Sequence, residues 1–165
     1  MTHAADTLFP SRATLLAAVL LGSMAVTVKP IAAQSDACAV VKPADAAALL
    51  GGVATPNPSP KGGSCTWKAA DPKRSLGVLV YSKDMPGEMM YTGARGNAGK
   101  ENGSSLTDEG GIGDKAFSIK ASFGASIIML KGGRLMQLQY FTGGAGTDAD
   151  RDVLRALAKK AIAAF

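Results

Sequence analysis

Two cysteines, a group of carboxylates and a serine–lysine pair are the residues of this chain whose types and spacing could do chemistry. Cys38 and Cys65 are the only cysteines. An even pair in an oxidising compartment reads as one disulfide, and neither residue sits in the Cys-x-x-Cys spacing that tunes a thiol for redox work. Asp108, Glu109 and Asp114 lie close together. Such carboxylates could flank a sugar or ligate a hard cation such as Ca²⁺, but their spacing does not match the calcium-loop pattern. Solvated turn carboxylates are the simpler expectation. Ser118 and Lys120, two apart on a strand, point to one side and could form a Ser–Lys dyad; that spacing alone is thin support.

The only histidine is His3. It lies in a leader: Ser11-Arg12, an apolar run from Ala13 to Val28, the break at Lys29-Pro30, then Ile31-Ala32-Ala33. A basic residue, a short apolar segment and a small-residue site make a signal peptide over residues 1–33, cut after Ala33. An uncleaved N-terminal membrane anchor is the alternative. Lipid attachment at Cys38 is not expected, because such a site wants a branched aliphatic where Ser35 stands and a small neutral residue where Asp36 stands. Residues 34–165 are then one exported domain, periplasmic or extracellular, with no histidine. Ser-His-Asp and Cys-His catalysis and the usual zinc sites drop out. The reading is a non-catalytic binding or accessory domain of the cell envelope, with no cofactor and no metal. An enzyme using carboxylates or a Ser/Lys pair is one alternative, and a purely structural envelope protein another. The formal charge of +5 is spread along 165 residues without a basic, aromatic-interleaved stripe. Nucleic acid is therefore not an expected partner; an envelope protein, glycan or lipid is.

The elements that must position these residues alternate between helix and strand patterns. Pro43 opens a helix that Gly51-Gly52 stop. The proline-rich stretch from Thr55 to Gly63 reads as an exposed loop. Ser64 to Lys68 alternates, with Cys65 and Trp67 on one face, and pairs as a hairpin with the strand around Leu76, Val78 and Val80. Trp67 reads as core packing beside the disulfide. Pro86 opens a second helix with Met90, Ala94 and Ala98 at helical spacing; Gly93, Gly96 and Gly99 could let it lie close to a sheet. They do not form a dinucleotide-binding turn. Ser105 to Glu109 reads as a short strand.

Gly110, Gly111 and Gly113 supply a turn, and Asp114 can fix it by accepting main-chain N–H groups. Strand-like Ala116 to Ile119 follows where a phosphate-binding turn would need a helix. Gly132-Gly133 then makes a two-residue hairpin, with Lys131 opposite Arg134 and Ile127 opposite Leu138. One face carries Ile127, Met129, Met136, Leu138 and Tyr140 and is core. The other carries Ile128, Leu130, Leu135, Gln137 and Gln139. It is either covered by a helix or exposed as a patch, and if exposed then Ile128, Leu130, Leu135 and Gln137 are the candidate binding face. Thr147 and Asp150 form a capping box for a last helix, whose stripe runs through Val153, Leu154, Leu157, Ala158, Ala161, Ile162 and Phe165. Lys159 and Lys160 suit its C-terminal dipole.

The order of Cys38, the Pro43–Leu50 helix ending in Gly51, Ser64-Cys65-Thr66-Trp67, Gly111-Ile112-Gly113-Asp114-Lys115-Ala116-Phe117, hairpin and closing helix resembles a group of exported bacterial domains of unknown function, known mainly as actinobacterial lipoproteins. That resemblance implies an α+β fold, an antiparallel sheet with helices packed on it, similar to a Mog1/PsbP-type sandwich. It implies no activity and supplies no functional residues.

Overall fold

Between Lys131 and Arg134 the chain reverses in two residues, and both Gly132 and Gly133 have positive φ, 56° and 74°. A tight turn of this hand matches the twist of the strands it joins, and glycine adopts it without strain. The turn sets the register around it: Leu130 faces Leu135, Met129 faces Met136 and Ile127 faces Leu138, as the pattern predicts. The computed structural model describes residues 37–100 and 104–165. The expected leader over 1–33 lies outside the described residues, as do Asn102 and Gly103.

In chain order the elements are α1 (Pro43–Leu50), β1 (Thr55–Pro58), β2 (Ser64–Lys68), β3 (Ser75–Val80), α2 (Gly87–Ala98), β4 (Ser105–Asp108), β5 (Lys115–Ala121), β6 (Gly124–Lys131), β7 (Arg134–Phe141) and α3 (Asp148–Ala164). The strands form one sheet in the order β1-β2-β3-β7-β6-β5-β4, with each neighbouring pair antiparallel. The fold is α+β, with one disulfide joining Cys38 to Cys65. Helices pack on both faces because both faces of the central strands are apolar.

On the first face Trp67, Leu76, Val78, Ile127, Met129, Met136 and Leu138 are buried with residues of α1 and α3. On the second, Phe117, Ile128, Leu130 and Leu135 are buried with Tyr91 of α2. Each large apolar side chain so buried contributes roughly 1.5–3 kcal/mol. The binding face considered at Ile128, Leu130, Leu135 and Gln137 is therefore corrected. Its three apolar residues are a second core beneath α2, and Gln137 is half-buried beyond that core.

The stretch from Thr55 to Gly63 is not all loop, since Thr55–Pro58 pairs with β2 as an edge strand. Asn57 lies opposite Thr66, and the Ser59 N–H donates to the Ser64 carbonyl at 3.0 Å. Pro56 and Pro58 have the other parity, where a backbone N–H would point to solvent, so the ladder loses nothing to them. The two prolines also deny the edge to a further strand.

The glycines expected to bring α2 close to the sheet do not do so. A Cβ on Gly93, Gly96 or Gly99 would meet open space. The close approach is at Gly87, where a Cβ would strike the Gly133 carbonyl. Along α3 the capping box forms as expected, but Val153 leaves the buried stripe and is 47% exposed. No basic residue occupies the last turn of α3. Instead Lys131, from the β6 hairpin end, donates to the Ile162 carbonyl at 2.8 Å.

Candidate functional site

Successive residues of a strand point to opposite faces, and this parts the carboxylates. Asp108 lies opposite Phe117, on the α2 side. It takes two bonds from Arg95, Nε to Oδ1 at 3.0 Å and Nη2 to Oδ2 at 2.8 Å. Hydrogen bonding to that guanidinium holds its pKa below the ordinary aspartate value. Glu109, the next residue, turns to the α3 side. Asp114 lies beyond the glycine turn, where Oδ2 accepts the Gly132 N–H at 2.7 Å. So Asp114 fixes a backbone as expected, but the backbone is that of the distant hairpin turn. Gly111 and Gly113 have positive φ, 73° and 61°. A Cβ on Gly113 would strike the Leu130 carbonyl, while Gly110 has neither constraint.

Glu109 is not the solvated turn carboxylate expected of it. Its side chain is 5% exposed. Arg155 donates to it twice, Nε to Oε2 at 2.5 Å and Nη2 to Oε1 at 3.0 Å. Ser118 Oγ donates to Oε1 at 2.6 Å. Burial pushes this carboxyl up, but the bonds from Arg155 and Ser118 outweigh it, and the pKa lies below the ordinary glutamate value. A carboxylate held ionised by three donors is a weak base and has no proton to give. Beside it Arg151 donates to Thr107 Oγ1 at 2.7 Å and to Asp148 at 2.7 Å. Lys120 Nζ donates to the same Asp148 oxygen at 2.8 Å. Ser118 and Lys120 thus share a face as the spacing predicts, but each is committed to a different carboxylate and no dyad forms. The cluster fastens α3 to the β4–β5 edge.

Cys38 and Cys65 are bonded, with Cα atoms 5.1 Å apart. Trp67 is buried in the same core. At the far end of α1, Arg74 Nη2 donates to the Leu49 carbonyl at 3.1 Å. The same guanidinium also bonds the Tyr140 hydroxyl and lies over that ring. A cation on the terminal carbonyls of a helix is favoured by its dipole.

With α1 held there, a groove of about 230 Å³ opens between it and α3, lined by Ala48, Leu49, Val153, Ala156 and Leu157. Lys160 bonds Asp45 at 2.6 Å across its rim. This groove is the candidate functional site. It is too small to engulf an ordinary ligand, but it accepts an apolar side chain or the edge of an aromatic ring. Among the described residues no group of three or more His, Cys, Asp or Glu side chains is placed to hold a metal, and no helix is long and apolar enough to cross a membrane.

Sequence reasoning missed Arg151 and Arg155. Their spacing of four puts them on one flank of α3, and the alternation of Thr107 and Glu109 sets two acceptors on one side of the β4 edge. Those two signals point at each other only once the sheet order is known. Compared with known proteins, the chain matches no family model, no curated protein and no solved structure.

Proposed function

We infer that this chain is an exported domain of the cell envelope that works by contact rather than catalysis, and that the groove between α1 and α3 is its contact surface. The observation carrying this reading is Val153, an apolar residue 47% exposed on α3, beside an apolar groove. The chemistry-bearing residues support it indirectly, since Asp108, Glu109, Asp114, Ser118 and Lys120 are all used to hold elements together. The disulfide is compatible with an oxidising, exported location, periplasmic or extracellular. The likeness of the sequence pattern to exported bacterial domains agrees with that placement.

Titration of the oxidised protein with the apolar fluorophore N-phenyl-1-naphthylamine tests the reading. Val153→Asp should abolish the fluorescence gain, and Met89→Asp, on the outer face of α2, should leave it intact. Equal gains in the wild type and Val153→Asp would refute the assignment. A far-UV circular dichroism melt confirms that both variants fold.

A further inference from the structure

On the exposed side of α3 the charges are sorted along its length, while Arg151 and Arg155 are half-buried and turn to the β4–β5 edge. Asp148, Asp150 and Asp152 lie in its first five residues, while Lys159 and Lys160 lie in its second half. The capping box and the helix dipole account for Asp148 and Asp150. They do not account for Asp152 or Lys159. Among the described residues Asp152 reaches only Arg155, with its side chain 63% exposed, and Lys159 is exposed. Between these charges the outward face is apolar and small: Ala149, Val153 and Ala156 are exposed, as is Ala163 beyond Lys160. Steps of four and three residues keep 149, 153, 156, 160 and 163 on one face, the spacing at which a helix packs along another helix. The groove borders this face through Val153, Ala156 and Lys160.

We propose that the occupant of this face is a second copy of the same chain, packed about a two-fold axis with α3 antiparallel to α3 near Ala156. This rests on the contact reading above and names the partner. A helix face that is acidic toward one end and basic toward the other is complementary to itself turned end for end. About that centre Asp152 of one copy falls opposite Lys159 of the other, and Ala149 opposite Ala163, each contact occurring twice. The alanines let the helices approach closely. Val153 of each copy then meets Ala156 and the Lys160 stem at the groove of its mate. An acyl chain or an apolar peptide would use the seam, but would gain nothing from the sorted charges.

Sedimentation velocity on the protein purified from an exporting host, with its disulfide formed, tests this across the micromolar range. The wild type should pass from monomer to dimer as concentration rises. Asp152→Lys and Lys159→Asp each set like charges opposite one another twice, and should weaken the dimer by about tenfold or more. Both changes are on the exposed side and should leave the melting temperature within a few degrees. Mixing the two variants should restore dimerisation, because each meets its opposite charge in the other. A wild type that stays monomeric throughout, or a mixture no better than either variant alone, overturns the proposal. If that monomer still takes N-phenyl-1-naphthylamine in a Val153-dependent way, the second copy is excluded and the contact reading stands.

Discussion

Removing the charge of Glu109 tests the account of the α3–sheet junction most directly. In Glu109→Gln the side chain keeps its shape and one acceptor oxygen, so Ser118 retains a partner. The amide nitrogen, however, now faces the Arg155 guanidinium, donor against donor. Truncating one member of a fully buried ion pair costs about 3–5 kcal/mol. Arg155 is 30% exposed and keeps Asp152 at 2.6 Å, so water and that aspartate recover part of the loss. A lost charge-assisted bond costs roughly 1.5–3 kcal/mol, and we take about 2–3 kcal/mol as the cost here. For a domain of this size that lowers Tm by roughly 6–12 °C.

The pH dependence follows in sign. The folded pKa of Glu109 is depressed, so its contribution is fully present above the unfolded value and is lost as pH falls through the folded one. The gap between wild type and Glu109→Gln in urea unfolding should be constant near neutrality. It should begin to close below about pH 4.5 as unfolded glutamate protonates. A gap as wide at pH 3 as at pH 7, or no gap at pH 7, would refute the reasoning.

Three further outcomes are expected. Gly87→Ala should destabilise by at least about 2 kcal/mol, since its Cβ would strike the Gly133 backbone, whereas Gly93→Ala, facing open space in an ordinary helix, should stabilise by about 0.5–1 kcal/mol; thermal melts of the pair check both signs. The double change Leu130→Ser and Leu135→Ser should unfold the domain at room temperature, because both side chains lie under α2 and each substitution costs on the order of 3 kcal/mol; a native-like near-ultraviolet spectrum would contradict the second core. Reducing the Cys38–Cys65 bond, which closes a loop of sequence separation 27, should cost roughly 3–4 kcal/mol by the loop-entropy model; urea midpoints that coincide with and without a dithiol reductant would refute it.

What was legible in the sequence is what short-range geometry decides. Gly132-Gly133 dictates a turn, the turn dictates register, and alternation then assigns Ile127 and Met129 to one face and Ile128 and Leu130 to the other. Thr147 and Asp150 cap α3 by a contact three residues long. Cys38 and Cys65 are the only cysteines, so their pairing needed no geometry. Thr55–Pro58 was misread because proline content is a local signal, whereas its tolerance depends on which N–H groups face a partner strand. Nothing between Thr55 and Gly63 says that β2 is that partner or that its other side already pairs with β3.

The parts of the site that were not legible share one cause: their meaning lies in which element comes to rest against which. Glu109 looked solvated because glycines follow it, yet α3 arrives over the β4–β5 edge and brings Arg155 from 46 residues away. Val153 looked like core because it fits the apolar stripe, yet it falls on the flank of that stripe where α1, only eight residues long, is too short to cover it. The first misreading hid a structural clamp among apparent catalytic carboxylates. The second hid an exposed apolar surface inside an apparent core. Both errors act in the same direction, since correcting them commits the carboxylates to bonds within the fold and gives α3 an exposed apolar surface. On this fold the outward charges of α3 therefore weigh more as evidence of function than the denser polar cluster on its other side, because Asp152 stays 63% exposed although Arg155 bonds it, whereas Glu109 at the centre of that cluster is only 5% exposed.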